Sequence, residues 1–492
     1  MEEGRRTNGG EPGGASMPQG TSSTAKVTHS GKVEFTEDAT ASAKSYMSDT
    51  GGESAILVSS GTVNLLDVTV TKSGGESSED SDFYGTNAAV IAINDATINI
   101  TSGKVETNAA HANAVFAYGE GTINIQDARI TTLGDNSGGI MVTGGGTLNA
   151  YNLAVETSGR SAAAIRSDRG GGTMKVTGGT YLTSGVGSPV VYSTANVTVA
   201  DATMTATASE GVVIEGKNSV TLSNVLLTDT NDKLNGNSET YKNIFIYQSM
   251  SGDADEGVGT FAATNSEIVT NKGDTFFVTN TTAEITLAGN VIINNDKDGA
   301  LLRAQSGKWG TSGKNGGAVT MNWKGQQAEG DIVLDSISTL EFNLSNESYY
   351  RGAINTNNTA KTINLTVSAD SVVVLTGNSY VTKLENADTT NMNIYANGYK
   401  LYVNGTEAKI NQSADIPEMT TKAVDETVET VEVVENTDTG VPGWIWWTMG
   451  GGILVVAIII VVAILRKKQR ARSLADEKLV MPNVPPEASD NN

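Results

Sequence analysis

Six consecutive segments of this 492-residue sequence align on one another without a gap, and this internal repeat constrains the fold more than any other feature. The aligned positions recur at steps of 22 to 26 residues, and they are Val90, Val115, Ile140, Ala164, Val190 and Val212. A period of this size is typical of a solenoid, in which each repeat forms one coil and buries its apolar face by stacking on the next. Most residues of such a chain belong to repeated coils, an organisation that most classes of enzyme do not have.

Each coil contains three short strand-like runs separated by Gly, Asp and Asn, as in the coil from Ala114 to Asn136. One apolar position recurs in each run of successive coils. In the first run these positions are Ile91, Phe116, Met141, Ile165, Val191 and Val213; in the second, Ile98, Ile123, Leu148, Met174, Val197 and Val220; in the third, Val105, Ile130, Val155, Tyr181, Met204 and Leu227. Because side chains alternate between the faces of a strand, the three columns predict three inward-facing rows that close into an all-β tube with three strands per coil.

One turn position, five residues after the start of the second run, carries a residue that tolerates the left-handed backbone region in each coil. These residues are Asp67, Ser102, Asp127, Asn152, Gly178, Asp201, Asn224 and Asn265. A metal or acid–base role would require carboxylates here, whereas turn chemistry accounts for all four residue types. We therefore expect a structural ladder along one corner of the tube.

The alternate first-run positions, from Val90 to Val212, are expected to face solvent, yet they are apolar as well. An apolar stripe on an outer surface indicates an interface or a face covered by another part of the chain. The long insertions at 74–87 and 229–243 are the segments expected to fold over it.

The composition of the chain limits the classes of molecule that can bind the tube. The chain has 33 basic and 55 acidic residues, a formal net charge of −22, and no cysteine. Nucleic acid and anionic lipid would repel such a surface, so neither is expected to bind the main body. With no cysteine, the sequence can form no disulfide, and it does not indicate whether the protein lies in an oxidising or a reducing compartment.

The segment Trp444–Leu465 is uncharged and long enough to cross a bilayer once as a helix. Tryptophans stand at its first end, and five Lys or Arg residues follow its second end between 466 and 472. The positive-inside rule then predicts a single-pass protein with a cytoplasmic C-terminus and an extracellular tube at the cell membrane. A buried helix of a soluble domain and a tail anchor with the tube in the cytosol are the alternatives. No apolar signal segment is visible near Met1, which indicates an upstream start or a mature form.

The remaining boundaries follow from composition. Residues 1–25 are expected to be disordered, 26–405 to form the ectodomain, 406–443 to form an acidic, Thr-rich stalk, and 466–492 to form a tail that is basic and then disordered. The motif NTDTG at 436–440 resembles a degenerate sortase signal, so cell-wall anchoring is a further alternative.

With its repeats, turn ladder and outer-surface patterning, the region from about 30 to 405 resembles right-handed parallel β-helix proteins of the pectin-lyase-like architecture. More narrowly, it is similar to bacterial adhesin-like cell-surface proteins built on that fold. The resemblance implies a cell-surface location and contact with a carbohydrate or a host or cell-surface protein, made by several contacts along the tube. It implies no reaction, because a fold does not specify an activity.

Catalysis is the competing function, as a polysaccharide lyase or glycoside hydrolase. By resemblance, such β-helix enzymes use outward clusters of Asp, Arg or Lys on neighbouring coils. The comparable point here is Arg166, Asp168 and Arg169, and the aligned turns of the adjacent coils supply no further carboxylate. We therefore expect a surface ion pair at this turn and no enzymatic activity.

Ligand contacts are expected from scarce aromatic and charged residues, since sugars stack on exposed aromatic faces. The candidates are Trp309, Tyr349, Tyr350, Arg166 and Tyr192. No cofactor is expected, with one weak exception: Asn294, Asp296 and Asp298 alternate as in the first half of a calcium loop. Gln305 stands where such a loop carries its bidentate Glu.

The membrane orientation can be tested on intact cells. Protease added outside is expected to degrade the tube and to spare an epitope at 480–492, because the basic flank holds the C-terminus inside. Immunoblots against the tube and the epitope give the measurement, with detergent-opened cells as the control. Loss of the epitope while the tube survives would reverse the orientation.

Overall fold

The computed structural model describes residues 27–75, 78–234, 238 and 240–419. The predicted segment 1–25, the stalk from residue 420 onward, the span 444–465 and the tail 466–492 lie outside the described residues. Within the described part of the chain, no helix combines the length and apolar character that crossing a bilayer requires.

The described residues form a parallel β-helix of about 15 turns. Its first sheet, here called sheet 1, stacks the first run of each coil on the next in a single parallel ladder. The 12 strands of sheet 1 are Gly31–Phe35, Ser54–Val58, Val90–Ala92, Val115–Tyr118, Ile140–Thr143, Ile165–Ser167, Val191–Ser193, Val212–Glu215, Lys242–Tyr247, Asp274–Thr279, Leu302–Ala304 and Ile332–Leu334.

Sheet 2 contains both the second and the third runs, because some strands continue through the turn between them. Its 20 strands are Ala39–Ser42, Ser45–Ser48, Thr62–Lys72, Thr97–Thr107, Thr122–Gln126, Arg129–Thr132, Gly146–Thr157, Gly172–Thr183, Asn196–Ala200, Thr203–Ala206, Ser219–Ser223, Leu226–Asp229, Val258–Thr264, Glu267–Thr270, Thr281–Ala288, Val291–Asn294, Gly317–Lys324, Thr339–Ser345, Thr362–Val367 and Lys383–Asn386. The predicted three strands per coil are thus present, with two of them merged where the turn is tight.

Two small sheets and one short helix complete the described structure. Sheet 3 consists of Gln327–Glu329, Tyr349–Gly352, Val372–Leu375 and Ile394–Tyr395, and sheet 4 of Ser379–Val381, Leu401–Val403 and Thr406–Glu407. The last two strands of sheet 4 pair antiparallel, whereas the other strand pairs of the described residues are parallel. The helix is Glu79–Phe83, within the first insertion.

The inward rows of the second and third runs are confirmed. Ile98 pairs with Ile123 and Ile130 with Val155, and these side chains are fully or almost fully buried in one continuous core. Polar neighbours on the outer face form their own ladder, in which Asn99 donates to Asn64 and Asn124 donates to Asn99 at 2.9 and 2.8 Å. Because the side chains of sheet 2 alternate between a solvent-exposed face and a buried face, a shift of one residue would expose the core, and this fixes the register.

The inward row predicted for the first run is confirmed at Ile165 and Val191 and wrong at Ile91, Phe116, Met141 and Val213. The row that enters the core contains Val90, Val115 and Ile140, and it continues through Ile165 and Val191 rather than Ala164 and Val190. The row through Ile91, Phe116 and Met141 therefore faces outward, followed by Arg166, Tyr192 and Val213. Both rows are buried, so hydrophobicity does not distinguish inside from outside here.

The first insertion covers the outward row at its N-terminal end, as expected. Leu57, Ala88, Ile91, Phe116 and Met141 form a second apolar cluster, separate from the core of the tube. A Cβ on Gly85 would lie 2.8 Å from both Ile91 and Phe116, so only glycine fits where the insertion crosses the sheet, at a φ of +73°. The Thr143 hydroxyl ties the insertion down by donating to the Phe83 carbonyl at 2.6 Å.

The turn ladder is confirmed by its backbone angles. All eight positions have φ between +49° and +70°: Asp67, Ser102, Asp127, Asn152, Gly178, Asp201, Asn224 and Asn265. Side chains also bond from coil to coil, since Asn152 donates to Asp127 at 2.8 Å and Asn224 donates to Asp201 at 2.7 Å.

A substitution at Asn152 tests the ladder. Asn152→Val places a β-branched residue at a φ of +50° and is expected to cost about 1–2 kcal/mol, whereas Asn152→Gly removes the strain and is expected to cost much less. Thermal unfolding of the full chain measures both. Equal destabilisation by the two variants would show that the lost side-chain hydrogen bond, and not the backbone angle, sets the cost.

Candidate functional site

The outward row of sheet 1 opens into a pocket midway along the tube, beyond the part covered by the first insertion. The cavity has a volume of about 280 Å³. It is lined by Ser161, Ala163, Arg166, Asp168, Gly187, Pro189, Tyr192, Glu210, Val213, Ser238, Phe245, Tyr247 and Trp309. Successive strands place these side chains next to one another, because residues one coil apart share a row.

An ion pair between Arg166 and Asp168 forms one wall. Arg166 Nη2 donates to Asp168 Oδ2 at 3.2 Å, and Arg166 Nη1 donates to the Asn136 carbonyl at 3.1 Å. The side chains are only 10% and 7% exposed, so the expected surface pair is in fact a buried one. Burial raises the pKa of Asp168 to about 6, and Asp253 adds to the rise while Arg166 opposes it.

A second buried pair joins Glu210 to the insertion at 229–243. Lys242 Nζ lies 3.0 Å from Glu210 Oε1, and the hydroxyls of Ser209 and Ser238 donate to the same carboxylate. Burial acts to raise the pKa of Glu210, but the Lys242 charge and these hydrogen bonds outweigh it and lower the pKa. Through Ser238 and Lys242, the second insertion reaches the outward face of sheet 1, as expected.

A third carboxylate, Glu215, lies behind the tyrosines of the pocket and is 1% exposed. The Tyr192 hydroxyl donates to Glu215 Oε2 at 2.5 Å, the Tyr247 hydroxyl donates to the same oxygen at 2.9 Å, and the Ser249 hydroxyl donates to Oε1. Burial raises the pKa of both tyrosines well above the ordinary value, and the Glu215 charge adds to the rise. Both phenols therefore remain protonated donors at neutral pH.

Aromatic rings form the opposite wall. Tyr247 stacks on Phe245 with 4.4 Å between ring centroids and an interplanar angle of 12°, and Trp309 lies 5.8 Å from Tyr247 at 50°. The loop that carries Trp309 connects strands of sheets 1 and 2, and Asn315 braces it by donating to the carbonyls of Gly307 and Trp309. Trp309 is partly exposed, so its ring is available to a ligand.

Three of the five predicted ligand residues thus meet in one pocket: Arg166, Tyr192 and Trp309. The other two do not. Tyr350 is fully buried in the core against Trp323 and Phe342, and Tyr349 is 5% exposed and donates its hydroxyl to the Pro417 carbonyl. Tyr350 is enclosed by the tube and Tyr349 is covered by the segment around Pro417, so neither ring is open to a sugar in this structure.

Phe245, Tyr247 and the carboxylates Glu210 and Glu215 were not predicted from the sequence. Glu210 precedes its first-run strand and Glu215 ends it, so neither occupies an aligned turn position. A charged residue at either end of an otherwise apolar run is the signal that could have identified them. The aligned turns supply no further carboxylate, as expected, but Glu210 lines the same pocket as Asp168 from outside those turns.

The calcium candidates form a hydrogen-bonded turn. Asn294 Oδ1 accepts from the backbone N–H of Asp296, and Asp296 Oδ1 accepts from that of Asp298. Asp298 pairs with Lys297 at 2.7 Å. Within the described ranges, no group of three or more His, Cys, Asp or Glu residues is placed to hold a metal. Calcium binding by this loop stays a prediction.

The two histidines lie outside the pocket. His111 Nδ1 is 2.9 Å from Asp82 Oδ2, and its Nε2 is 3.2 Å from Asn136 Nδ2, so its partly buried ring links the first insertion to a neighbouring coil. His29 Nε2 is 2.8 Å from the Tyr84 carbonyl, and burial lowers the pKa of His29. Both histidines hold the first insertion in place.

Comparison with known proteins adds no relative: no protein-family model, no curated protein and no solved structure matches this chain. The pocket therefore has to be interpreted from its own chemistry.

The environment of Asp168 predicts a pH dependence. Its pKa is about 6 in the folded state and about 3.8 when unfolded, so the folded state loses stability as pH rises through this window. Asparagine does not titrate, so Asp168→Asn does not lose this stability. Its free energy of unfolding, relative to that of the wild type, is expected to rise by up to about 3 kcal/mol from pH 4 to pH 7. Denaturant unfolding at both pH values measures the gain. A constant difference between the two proteins would contradict it.

Proposed function

We propose that this protein is a cell-surface β-helix that binds carbohydrate at the sheet 1 pocket without cleaving it. The observation that carries the proposal is the pocket itself, where Trp309, Tyr247 and Tyr192 face two buried ion pairs. Aromatic rings pack against the C–H face of a sugar, while carboxylate, guanidinium and hydroxyl groups match its ring of hydroxyls. A volume close to the lower end of the range for ligand pockets suits one sugar unit.

Binding at several sites agrees with a second cavity on the other side of the Trp309 loop. This groove has a volume of about 700 Å³, and Gly310, Thr311 and Lys314 of the loop contribute to its wall. A chain of sugars, or a surface that displays many copies, would contact pocket and groove together. Weak contacts then add up by avidity along a rigid tube.

The proposed cellular setting rests on the C-terminal sequence. The span 444–465 anchors the chain in the cell membrane, its basic flank lies in the cytoplasm, and the tube is outside. The predicted stalk 406–443 starts too early, because Thr406–Glu407 is a strand of sheet 4 and Ile410 and Asn411 are buried. In this setting the tube is a right-handed, pectin-lyase-like β-helix of the bacterial adhesin-like kind, and its ligand is a glycan or a cell-surface protein that bears one.

A polysaccharide lyase or glycoside hydrolase is the second candidate, and Asp168 favours it. A carboxyl group whose pKa lies near 6 can act as a proton donor, and Glu210 lines the same cavity. Both carboxylates, however, are already paired to a cation, as in a structural network. We therefore prefer carbohydrate binding to carbohydrate cleavage as the proposed function.

A glycan array probed with the full-length chain in detergent tests the proposal. Trp309→Ala is expected to weaken binding about tenfold or more, because stacking on one aromatic ring contributes roughly 1–2 kcal/mol. Tyr151→Ala is the matched control, since Tyr151 is 57% exposed but lies on sheet 2. Equal binding by wild type and Trp309→Ala would refute the pocket as the site.

Bound glycans should also be recovered intact. Shortened or unsaturated products that disappear in Asp168→Asn would replace the binding function with the enzymatic one. The same assay with and without added Ca²⁺ shows whether the loop at 294–298 takes part.

A further inference from the structure

Two of the three buried carboxylates at the pocket are paired with a cation. Arg166 is paired with Asp168, and Lys242 is paired with Glu210. Glu215 is the third carboxylate, and its oxygens accept from hydroxyl groups only, with no ion pair among the described residues.

The position of Glu215 directs this charge toward the cavity. Its oxygens accept from three hydroxyls, two of which belong to Tyr192 and Tyr247, whose rings line the cavity. A phenol that donates to a carboxylate is polarised, so its ring carries more electron density. A cation above such rings is attracted both by their faces and by the charge behind them.

One of the neighbouring rings already shows this behaviour. Lys242 Nζ lies 4.5 Å from the centroid of Phe245, while its charge is held by Glu210. Trp309, next along the aromatic wall, has Lys308 Nζ 5.8 Å from its centroid. Tyr192 and Tyr247 also line the cavity, and both hydroxyls donate to Glu215. A cation that the ligand brings is therefore expected at these two rings.

We propose that the pocket selects a sugar unit that carries a protonated amino group, over the corresponding neutral sugar and over a uronic acid. This inference rests on the proposed carbohydrate binding and names the class of sugar. The ammonium group lies against Tyr192 and Tyr247, with Glu215 as its counter-charge. A uronate brings a second uncompensated negative charge to the pocket and is disfavoured.

Calorimetric titration of the full-length chain in detergent with three methyl glycosides tests this inference. The ligands are those of glucosamine, N-acetylglucosamine and glucuronic acid, at about pH 7, where most of the amine is protonated. We expect the glucosaminide to bind about tenfold more tightly than the N-acetyl compound, and the glucuronide to bind least. The comparison needs no variant, so it does not depend on a mutant that folds.

Glu215→Gln then identifies the source of the preference. Glutamine keeps the shape, and its amide oxygen can accept from both tyrosines, so the ratio of the affinities for the glucosaminide and the N-acetyl compound is expected to fall from about ten to about one. A preference that survives in Glu215→Gln overturns the role of this carboxylate.

The outcomes separate this inference from the function on which it rests. The inference alone is overturned if Trp309→Ala abolishes binding on the glycan array but the titrations show no preference for the glucosaminide. Such titration results are equal affinity for the three glycosides, a preference for the glucuronide, or no binding of the glucosaminide. Absence of binding both on the array and in the titrations overturns the proposed function and the inference with it.

Discussion

The hydrogen bonds between successive coils are the interaction on which the rest of this structure depends. In sheets 1 and 2, each strand away from the ends pairs in parallel with its counterparts in the coils before and after it, so no coil satisfies its backbone alone. The same stacking places equivalent side chains in rows, and the inward rows make the core. The left-handed residue at one corner keeps the rows in line, because it closes each coil at the same point.

Sheet 1 shows how such a regular tube acquires a specific surface. Its outward row is apolar at the N-terminal end, where the insertion with the helix Glu79–Phe83 covers it. Farther along, Arg166 and Tyr192 occupy the same row, and the covering segment gives way to a cavity. The same outward row therefore packs against the first insertion at one end of the sheet and lines a pocket farther along. Insertions between coils decide which of the two it becomes.

Much of this fold was predictable, and the failures have a common cause. Alternation between Ile and Asn or Thr, as at Ile123 and Asn124, identified sheet 2, since only one of its faces is dry. In the coils from Val90 to Met141 both faces of sheet 1 are buried, so the pattern does not distinguish the inward from the outward row, and the prediction that Phe116 faces inward is wrong. The site was only half predictable. Trp309 stood out because aromatic residues are rare, but Glu210 and Glu215 acquire meaning only when distant insertions close around them.

The stacking of coils also determines where mechanical load would act. Under the proposed function, tension between a ligand held at the pocket and residue 419 would pass through the coils that lie between them. The coils before Ser161 would carry none, although they hold the same kind of ladder. Hydrogen bonds between coils lie across the strands and therefore along the axis of the tube, so tension along that axis loads them directly. Sheets 1 and 2 share one core, so the load is divided between their ladders rather than carried by one.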